Sequence, residues 1–323
     1  MSAFKFIKAG SFFSAALILL WAGSPAGAAS PAKQTRAVQY QTLNFPDNVA
    51  VAHLDVWTPS IDAKGAPSTV KTKVTAQGRI KVPTNAHIVM KLTYDGLDHL
   101  DTLAQFNPGQ VTELNASRLD LTDAHMTYFK KFTSITRLNL DSTLITDKSL
   151  PILAAYKGLS DVRLSITDVT GAGFESLADL PIWLLNMEGT DLREGCLAKL
   201  KRLPETLVNI NCSKTHIGPE DIAFLSKCQK LTGMGLDGNN KITDACVKDI
   251  VKLKLLDSLS IADTLITEKS LPALAKMPNL KQLVVRNKTF WKLGSGKSPR
   301  PTLQIRDSVA VSRTPVDVFG PLH

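Results

Sequence analysis

The chain has 323 residues, of which 44% are apolar and 21% charged, so it can bury a sizeable core and is not an intrinsically disordered protein. Its formal net charge is +9, yet residues 87–275 carry 20 basic and 24 acidic side chains, and the positive excess lies in residues 29–86 and 276–323. A nucleic-acid-binding protein concentrates positive charge on its folded binding face, so we expect no nucleic-acid partner.

The first predicted element is an export signal at residues 1–28. Lys5 and Lys8 precede an apolar run, and small residues follow it, which suits cleavage after Ala28. This pattern predicts a periplasmic or extracellular protein, and the alternative is an uncleaved amino-terminal anchor. No later stretch approaches the roughly 18 continuous apolar residues of a membrane-spanning helix, so we expect no transmembrane segment in the mature chain.

Residues 29–86 are predicted to form a small β-rich module. The stretches at 49–57 and 78–83 have the composition of strands, and the Pro, Gly, Ser and Lys residues between them indicate a loop at 58–73. A further strand that starts at His87 is expected to cap the region that follows.

That region repeats itself with a period of about two dozen residues. Residues 143–154 read TLITDKSLPILA, and residues 264–275 read TLITEKSLPALA. Apolar residues recur at positions one, four and six of each copy with polar residues between them, which is the alternation of a strand with one buried face. The copies begin at Val111, Ile135, Leu159, Ile182, Leu207, Leu231, Leu256 and Leu280.

This period and the pattern L-x-x-L-x-L-x-x-N/T-x-I resemble the leucine-rich repeat family, of the ribonuclease-inhibitor-like and exported bacterial type. The resemblance implies an α/β fold at residues 87–290: a solenoid whose units each add one strand to a curved parallel sheet and one helix to its outer side. Position nine, where the family has a stacked Asn or Cys, is mostly Thr here. A Thr hydroxyl reaches less far than an Asn amide, so the detailed turn geometry is expected to differ.

A helix start follows each strand in the repeat. Thr146 is predicted to cap the helix through its hydroxyl, and Asp147 is predicted to favour the positive helix end. The pairs Thr122-Asp123, Thr243-Asp244 and Thr267-Glu268 repeat this start.

Residues 291–323 are predicted to form a basic tail or cap rich in Pro and Gly, with one strand near 302–305. Within this segment, GSGKS at 294–298 resembles the end of a phosphate-binding loop. However, Trp291 stands where the first glycine of that motif belongs, and Pro-Arg-Pro follows the serine. We therefore predict a linker there and no nucleotide site.

No residue pattern indicates an active site. The four cysteines, Cys196, Cys212, Cys228 and Cys246, fall at core or small-residue positions of the repeat, which favours buried free thiols over disulfides. The histidines have no metal-ligand spacing, and no Ser, His and Asp group suggests a triad. We predict no cofactor, no metal and no enzymatic activity; the alternative is an enzymatic role for the 29–86 module.

The predicted binding surface consists of outward side chains at repeat positions three, five and seven. The candidate residues are Glu113, Asn115, Arg137, Asn139, Asp141, Asp161, Arg163, Asn186, Glu188, Asn209, Asn211 and Asp237. The alternative interpretation is a solvated surface whose opposite charges neutralise one another. Aromatic side chains are absent from these positions, so we expect a partner to be held by hydrogen bonds.

These patterns together predict an exported, monomeric binding or scaffolding protein that holds a protein or peptide partner on its concave strand face. The alternative is an envelope-associated structural protein, held to anionic cell-surface polymers by weak attraction to its basic ends.

Overall fold

Fourteen strands and six short α-helices make up the part of the chain that the structure describes. The computed structural model describes residues 38–62, 66–286 and 303–307. The strands are β1 (Tyr40–Asn44), β2 (Ala52–Ile61), β3 (Pro67–Thr75), β4 (Arg79–Pro83), β5 (His87–Leu92), β6 (Val111–Asn115), β7 (Arg137–Asn139), β8 (Asp161–Arg163), β9 (Leu184–Asn186), β10 (Asn209–Asn211), β11 (Gly233–Gly235), β12 (Ser258–Ser260), β13 (Gln282–Val285) and β14 (Gln304–Asp307).

Twelve of these strands form one sheet, in the order β14-β13-β12-β11-β10-β9-β8-β7-β6-β5-β2-β3, and β1 and β4 form a separate antiparallel pair. From β5 to β14 every neighbouring pair is parallel. Corresponding residues of successive repeats are direct partners, since Glu113 pairs with Arg137 and Arg137 pairs with Asp161. The register predicted from the apolar pattern is therefore confirmed.

The inner side of this sheet is aliphatic. At repeat position four, Leu138, Val162 and Ile210 are at most 1% exposed, and the residues at positions one and six join them in one continuous core. A strand of three residues cannot bury its own apolar side chains, so each coil is stabilised by the coils beside it. The architecture is that of a leucine-rich repeat solenoid, which confirms the predicted fold class.

The outer side of the coils is built from short helical turns. The α-helices are α1 (Asp123–Met126), α2 (Leu150–Leu153), α3 (Leu203–Thr206), α4 (Pro219–Leu225), α5 (Val247–Ile250) and α6 (Leu271–Ala275). The 3-10 segments are Asp95–Gln105, Thr127–Phe129, Asp147–Ser149, Phe174–Leu177, Cys196–Lys199, Asp244–Cys246 and Glu268–Ser270. The hydroxyls of Thr146, Thr243 and Thr267 accept hydrogen bonds from backbone amides at the helical starts, as predicted.

The turn after each strand requires a left-handed backbone at repeat position eight. The residues with φ between 53° and 72° there are Arg118, Ser142, Ile166, Gly189, Lys214, Gly238 and Asp263. Position nine then closes the turn: Thr143 Oγ1 donates to the Leu140 carbonyl at 2.7 Å. Asn239 Nδ2 instead donates to two carbonyls, one of them in the preceding coil. Thr143 thus donates one bond, within its own turn, where Asn239 donates two, although the hydroxyl of Thr190 at the same position reaches the Leu164 carbonyl of the preceding coil at 2.7 Å.

Four aspartates join neighbouring coils on the helical side. These turn aspartates are Asp123, Asp147, Asp221 and Asp244. Asp147 accepts hydrogen bonds from the amide and hydroxyl of Thr170, at 2.9 and 2.7 Å, and from the amide of Gly173 at 2.9 Å. The sequence placed Asp147 at a helix end, but its main contacts are with the next coil. Residue spacing alone does not show which donors of that coil lie within reach.

The amino-terminal strands continue the repeat sheet. Met90 of β5 lies opposite Leu114 of β6, so a strand starts at His87 as predicted, but β2 and β3 extend the sheet beyond it. β2 pairs with β5 and forms a long hairpin with β3, so the predicted loop at 58–73 is wrong. Thr and Val recur along β3, and residues of this type favour a strand whose backbone groups a partner can satisfy.

At the carboxyl end, β14 pairs in parallel with β13, close to the strand predicted near 302–305. The predicted export signal at 1–28 and most of the segment 291–323 lie outside the described residues. The domain boundaries at residues 86 and 290 stay predictions, although the sheet runs across the first of them. Within the described ranges, no helix combines the length and apolar character needed to cross a membrane.

All four cysteines are unpaired and buried, as predicted. Burial raises the pKa of the Cys196 thiol, and also that of the Cys228 thiol, to about 12. These thiols therefore stay protonated at neutral pH and pack as small apolar groups.

Candidate functional site on the strand face

The twelve candidate residues lie together on the outward side of strands β6 to β11 and at their carboxyl ends. Strand pairing arranges them in three rows that cross the strands. Position three holds Glu113, Arg137, Asp161 and Asn209; position five holds Asn115, Asn139, Arg163, Asn186 and Asn211; position seven holds Asp141, Glu188 and Asp237. We call this surface the strand face. With neighbouring strands about 4.8 Å apart, its six strands span about 24 Å.

Charges at the amino-terminal end of the strand face pair with each other. Arg137 Nη1 lies 3.4 Å from Glu113 Oε1, and Arg163 Nε lies 3.2 Å from Asp161 Oδ1. Burial raises the pKa of Glu113, and the Arg137 guanidinium opposes that shift. The Arg137–Glu113 pair is partly exposed and the Arg163–Asp161 pair is largely buried, but in both the two charges neutralise each other. This part of the face therefore fits the alternative interpretation of self-neutralised charge.

Position five holds four asparagines whose side chains are oriented by their own backbone. The Oδ1 atoms of Asn115, Asn139 and Asn211 each accept the amide two residues later at 3.0 Å, and Asn186 does the same at 3.3 Å. We call these four residues the amide row. Because each carbonyl oxygen is occupied within its own turn, the NH₂ group is left as a donor. In the described part of the chain, Nδ2 of Asn115, Asn139 and Asn186 has no partner, whereas Asn211 Nδ2 donates to Glu188 Oε2 at 3.2 Å.

Position seven carries the least compensated carboxylates of the strand face. Asp141 Oδ1 accepts a hydrogen bond from the Ser165 amide at 2.8 Å, and Asp237 Oδ1 accepts one from the Ala262 amide at 2.7 Å. The Ser260 hydroxyl lies 2.6 and 2.8 Å from the two oxygens of Asp237, so these carboxylates have neutral donors but no cationic partner in the described part of the chain. Burial raises the pKa of both aspartates, and the hydrogen bonds that they accept oppose the shift. The negative charge of Glu188 raises the pKa of Asp237 further. Among the described residues, none of these three carboxylates forms a salt bridge.

The sequence did not reveal that the same surface continues onto β5, β2 and β3. On β2, Leu54 and Val56 join the core, whereas Asp55 and Trp57 are only half-buried on the side of the strand face. Lys71 of β3 forms a salt bridge of 2.8 Å with Asp55, and its Nζ lies 5.1 Å from the Trp57 ring centroid. The outward repeat positions carry no aromatic residue, and Trp57 adds an indole ring beside them from a strand outside the repeats. No repeat signal could have found Trp57, because it lies outside the repeats.

Within residues 38–62, 66–286 and 303–307, no cluster of three or more His, Cys, Asp or Glu side chains is placed to hold a metal ion. The strand face offers hydrogen-bond donors and carboxylates, and Trp57 adds one indole ring beside its amino-terminal end. This is the chemistry of recognition by polar contacts.

No protein-family model and no curated protein matches this sequence. Among solved structures, the chain is similar to an internalin (inlF) from Listeria monocytogenes, with 18% identity and a TM-score of 0.46 over 61% of this chain and 54% of that one. It is also similar to an internalin C2 (inlC2) from the same organism, with 21% identity and a TM-score of 0.43 over 65% of this chain and 83% of that one. The chain thus spans about half the length of the first and most of the second. The assignment of the repeat fold rests on the described coils themselves.

Proposed function

We propose that this chain is an exported binding protein that holds a protein or peptide partner along its strand face. The observation that carries the proposal is the amide row. Four side chains on separate strands present NH₂ donors, while their carbonyl oxygens are fixed by the turns beneath them. Donors that are already oriented lose little freedom on binding, which favours affinity.

The partner has to supply acceptor oxygens along the amide row. A polypeptide backbone presents carbonyl groups along its whole length, so an extended peptide or an exposed loop meets this requirement. The fold by itself does not select a partner, because one scaffold serves many functions. The export part of the proposal is supported by the sequence pattern of residues 1–28.

The test is site-specific photo-crosslinking in cells of the source organism. A photoreactive residue at Asn209, on the strand face, is compared with one at Lys157, exposed between the helical side of one coil and the next strand. Asn139→Asp and Asn186→Asp each keep the acceptor oxygen for the turn and remove the outward donor. Asn240→Asp, an exposed position outside the strand face, is the matched control for the added charge.

We expect a defined adduct from position 209 that weakens in Asn139→Asp and Asn186→Asp and persists in Asn240→Asp. Equal adducts from positions 209 and 157, or adducts that all three changes leave intact, would count against the strand face as the binding surface.

The charge at the two ends of the chain supports a second candidate, an envelope-associated structural protein. Residues 29–86 carry 7 basic and 3 acidic side chains, and residues 276–323 carry 9 and 2. Exposed charges that attract an anionic polymer are screened by salt. Release from isolated envelopes by a salt wash, together with lost retention after deletion of residues 291–323, would favour this candidate. If the protein stayed on the envelopes after the salt wash and after the deletion, this candidate would be eliminated.

A further inference from the structure

The carboxylates at position seven recur with a period of two coils. Asp141, Glu188 and Asp237 lie 47 and 49 residues apart along the chain and belong to coils two, four and six. The coils between and before them carry Ser117, Ser165 and Ser213 at the same position. We call the three acidic residues the acidic row. Two strand spacings make the distance between its members about 9.6 Å.

The acidic row differs in its partners from the acidic residues at position three. Glu113 and Asp161 have arginine partners, whereas the acidic row is held by neutral donors: the amides of Ser165 and Ala262, the hydroxyl of Ser260 and the amide side chain of Asn211. In the described ranges no Lys or Arg forms an ion pair with it. The row therefore presents three negative charges, evenly spaced, that a cationic partner can neutralise.

Ser165 is the neutral residue between Asp141 and Glu188 at position seven, and it is 8% exposed. Its amide donates to Asp141 Oδ1 at 2.8 Å, and its hydroxyl, which lies beside the same carboxyl, helps to lower the pKa of Asp141. Ser165 therefore stabilises the ionised form of Asp141, which is the form that a cationic partner would meet.

Asn139 and Asn186 of the amide row lie two residues before Asp141 and Glu188 on the same strands, about 6.6 Å away along the strand direction, whereas Asn115 and Asn211 lie on neighbouring strands. A ligand that fits both rows must present carbonyl oxygens to the amides and positive charges, about 9.6 Å apart, to the carboxylates. A polyproline II helix has three residues per turn and rises about 3.1 Å per residue, so every third side chain lies on one side at about 9.3 Å. Its carbonyl groups have no internal partners.

The other regular conformations match less well. In a β-strand, side chains on one side recur at about 6.6 Å, which is out of step with the acidic row. In an α-helix the carbonyls are used internally, and the residues of one face recur at about 5.4 Å per turn. The spacing thus selects the polyproline II conformation.

We propose that the strand face binds a basic peptide in the polyproline II conformation, which crosses the strands and seats a Lys or Arg at every third residue against Asp141, Glu188 and Asp237. This inference rests on the proposed function, because it names the partner class of the same surface. It differs from that function in requiring the acidic row as well as the amide row.

The test measures binding of labelled nine-residue peptides to the purified full chain by fluorescence anisotropy. One peptide has the sequence (Lys-Pro-Pro) repeated three times. Its isomers have the same composition, with the three lysines adjacent in one and at every second residue in the other. We expect the first peptide to bind about tenfold more tightly than either isomer, with an affinity that falls as salt increases.

The protein variants are Asp141→Asn, Glu188→Gln and Asp237→Asn, singly and together. Each keeps an oxygen that accepts the hydrogen bonds of the native carboxylate, so the fold is retained and is checked by the unfolding temperature. Each single change is expected to weaken the first peptide about threefold to fivefold, and the triple change by tenfold or more. Glu205→Gln, at an exposed position of α3, is the matched control and is expected to change nothing.

Equal binding of the three isomers, or undiminished binding to the folded triple variant, overturns the inference. Stronger binding of the isomer with lysine at every second residue also overturns it, in favour of an extended strand. If no basic peptide binds while crosslinking at position 209 still depends on Asn139 and Asn186, the inference fails and the proposed function stands. If no basic peptide binds and crosslinking at position 209 does not depend on Asn139 and Asn186, both the inference and the proposed function fail.

Discussion

The pKa is lowered at three of the turn aspartates, Asp123, Asp147 and Asp244, and raised at two members of the acidic row, Asp141 and Asp237. Burial tends to raise the pKa of Asp147, but hydrogen bonds from Gly173 and Thr170 lower it below the usual value. At Asp141 and Asp237 the effect of burial prevails, and the pKa is raised. At Asp147 the hydrogen bonds outweigh burial, whereas at Asp141 and Asp237 burial outweighs the hydrogen bonds that these carboxyls accept. A cation beside Asp141 or Asp237 would therefore stabilise its ionised form.

The largest predicted effect is the loss of stability when a turn aspartate is removed. Asp221 is fully buried and accepts hydrogen bonds from the amides of Gly195 at 2.9 Å, Leu197 at 3.2 Å and Gly218 at 3.3 Å. Asp221→Ala leaves three amides without their acceptor, and we expect it to lower the free energy of unfolding by about 3 kcal/mol. Urea denaturation followed by circular dichroism measures the change.

The control for this experiment is Asp141→Asn, which keeps the acceptor for the Ser165 amide and is expected to change the unfolding free energy by less than about 0.5 kcal/mol. If Asp221→Ala cost no more than Asp141→Asn, the distinction between the two groups of aspartates would have no energetic basis.

The pH dependence of stability is the next test, because the two pKa shifts have opposite signs. A lowered pKa stabilises the folded state above the unfolded value of about 3.9, and this contribution is lost as pH falls through the folded pKa. Asp147→Asn is therefore expected to be less stable than the unmodified chain by about 1 to 2 kcal/mol near neutral pH, with a gap that closes in acid.

For Asp237 the pH dependence of stability has the opposite sign. A raised pKa makes the ionised form unfavourable in the folded state, so its contribution to stability is present below the unfolded value and lost as pH rises through the folded pKa. Asp237→Asn is expected to be at least as stable as the unmodified chain near neutral pH, and any advantage should shrink in acid. Denaturation of the three proteins at a series of pH values checks both signs. Parallel pH profiles for the two variants would contradict the assigned shifts.

The strand face was predictable because the repeat fixes its register. Once Leu138, Val162 and their equivalents are assigned to the core, the residues on either side of them must face outward on every coil. All twelve candidate residues accordingly fall in three rows. The sequence indicated where these residues lie, but it did not indicate which of them are paired.

The features that the sequence missed depend on contacts between segments without a common period. Trp57 joins the surface only because β2 pairs with β5, and no pattern in residues 29–86 specifies that pairing. The role of Asp147 depends on donors of the following coil, and the support that Ser165 gives to Asp141 depends on side-chain geometry. Pro59 and Pro67 also suggested a loop where the chain forms a hairpin with Pro59 opposite Thr69.

The smallest predicted effect concerns the turn between the acidic row and the helical side. Ile166 has φ of 53° and is 63% exposed, so a β-branched residue occupies a left-handed conformation with little burial in return. Such a conformation costs roughly 1 kcal/mol or more for an L-residue, and Ile166→Gly is expected to raise the unfolding free energy by about 1 kcal/mol.

Gly238→Ala, at the equivalent position with φ of 72°, serves as the inverse control and should lose stability, because its added Cβ would lie 2.8 Å from Lys214 Cγ. Neither change removes a carboxylate, so Ile166→Gly should stabilise the turn without altering the affinity for the lysine peptide. If Ile166→Gly were less stable in urea denaturation, the side chain would contribute more through its contact over Gly189 than its exposure implies.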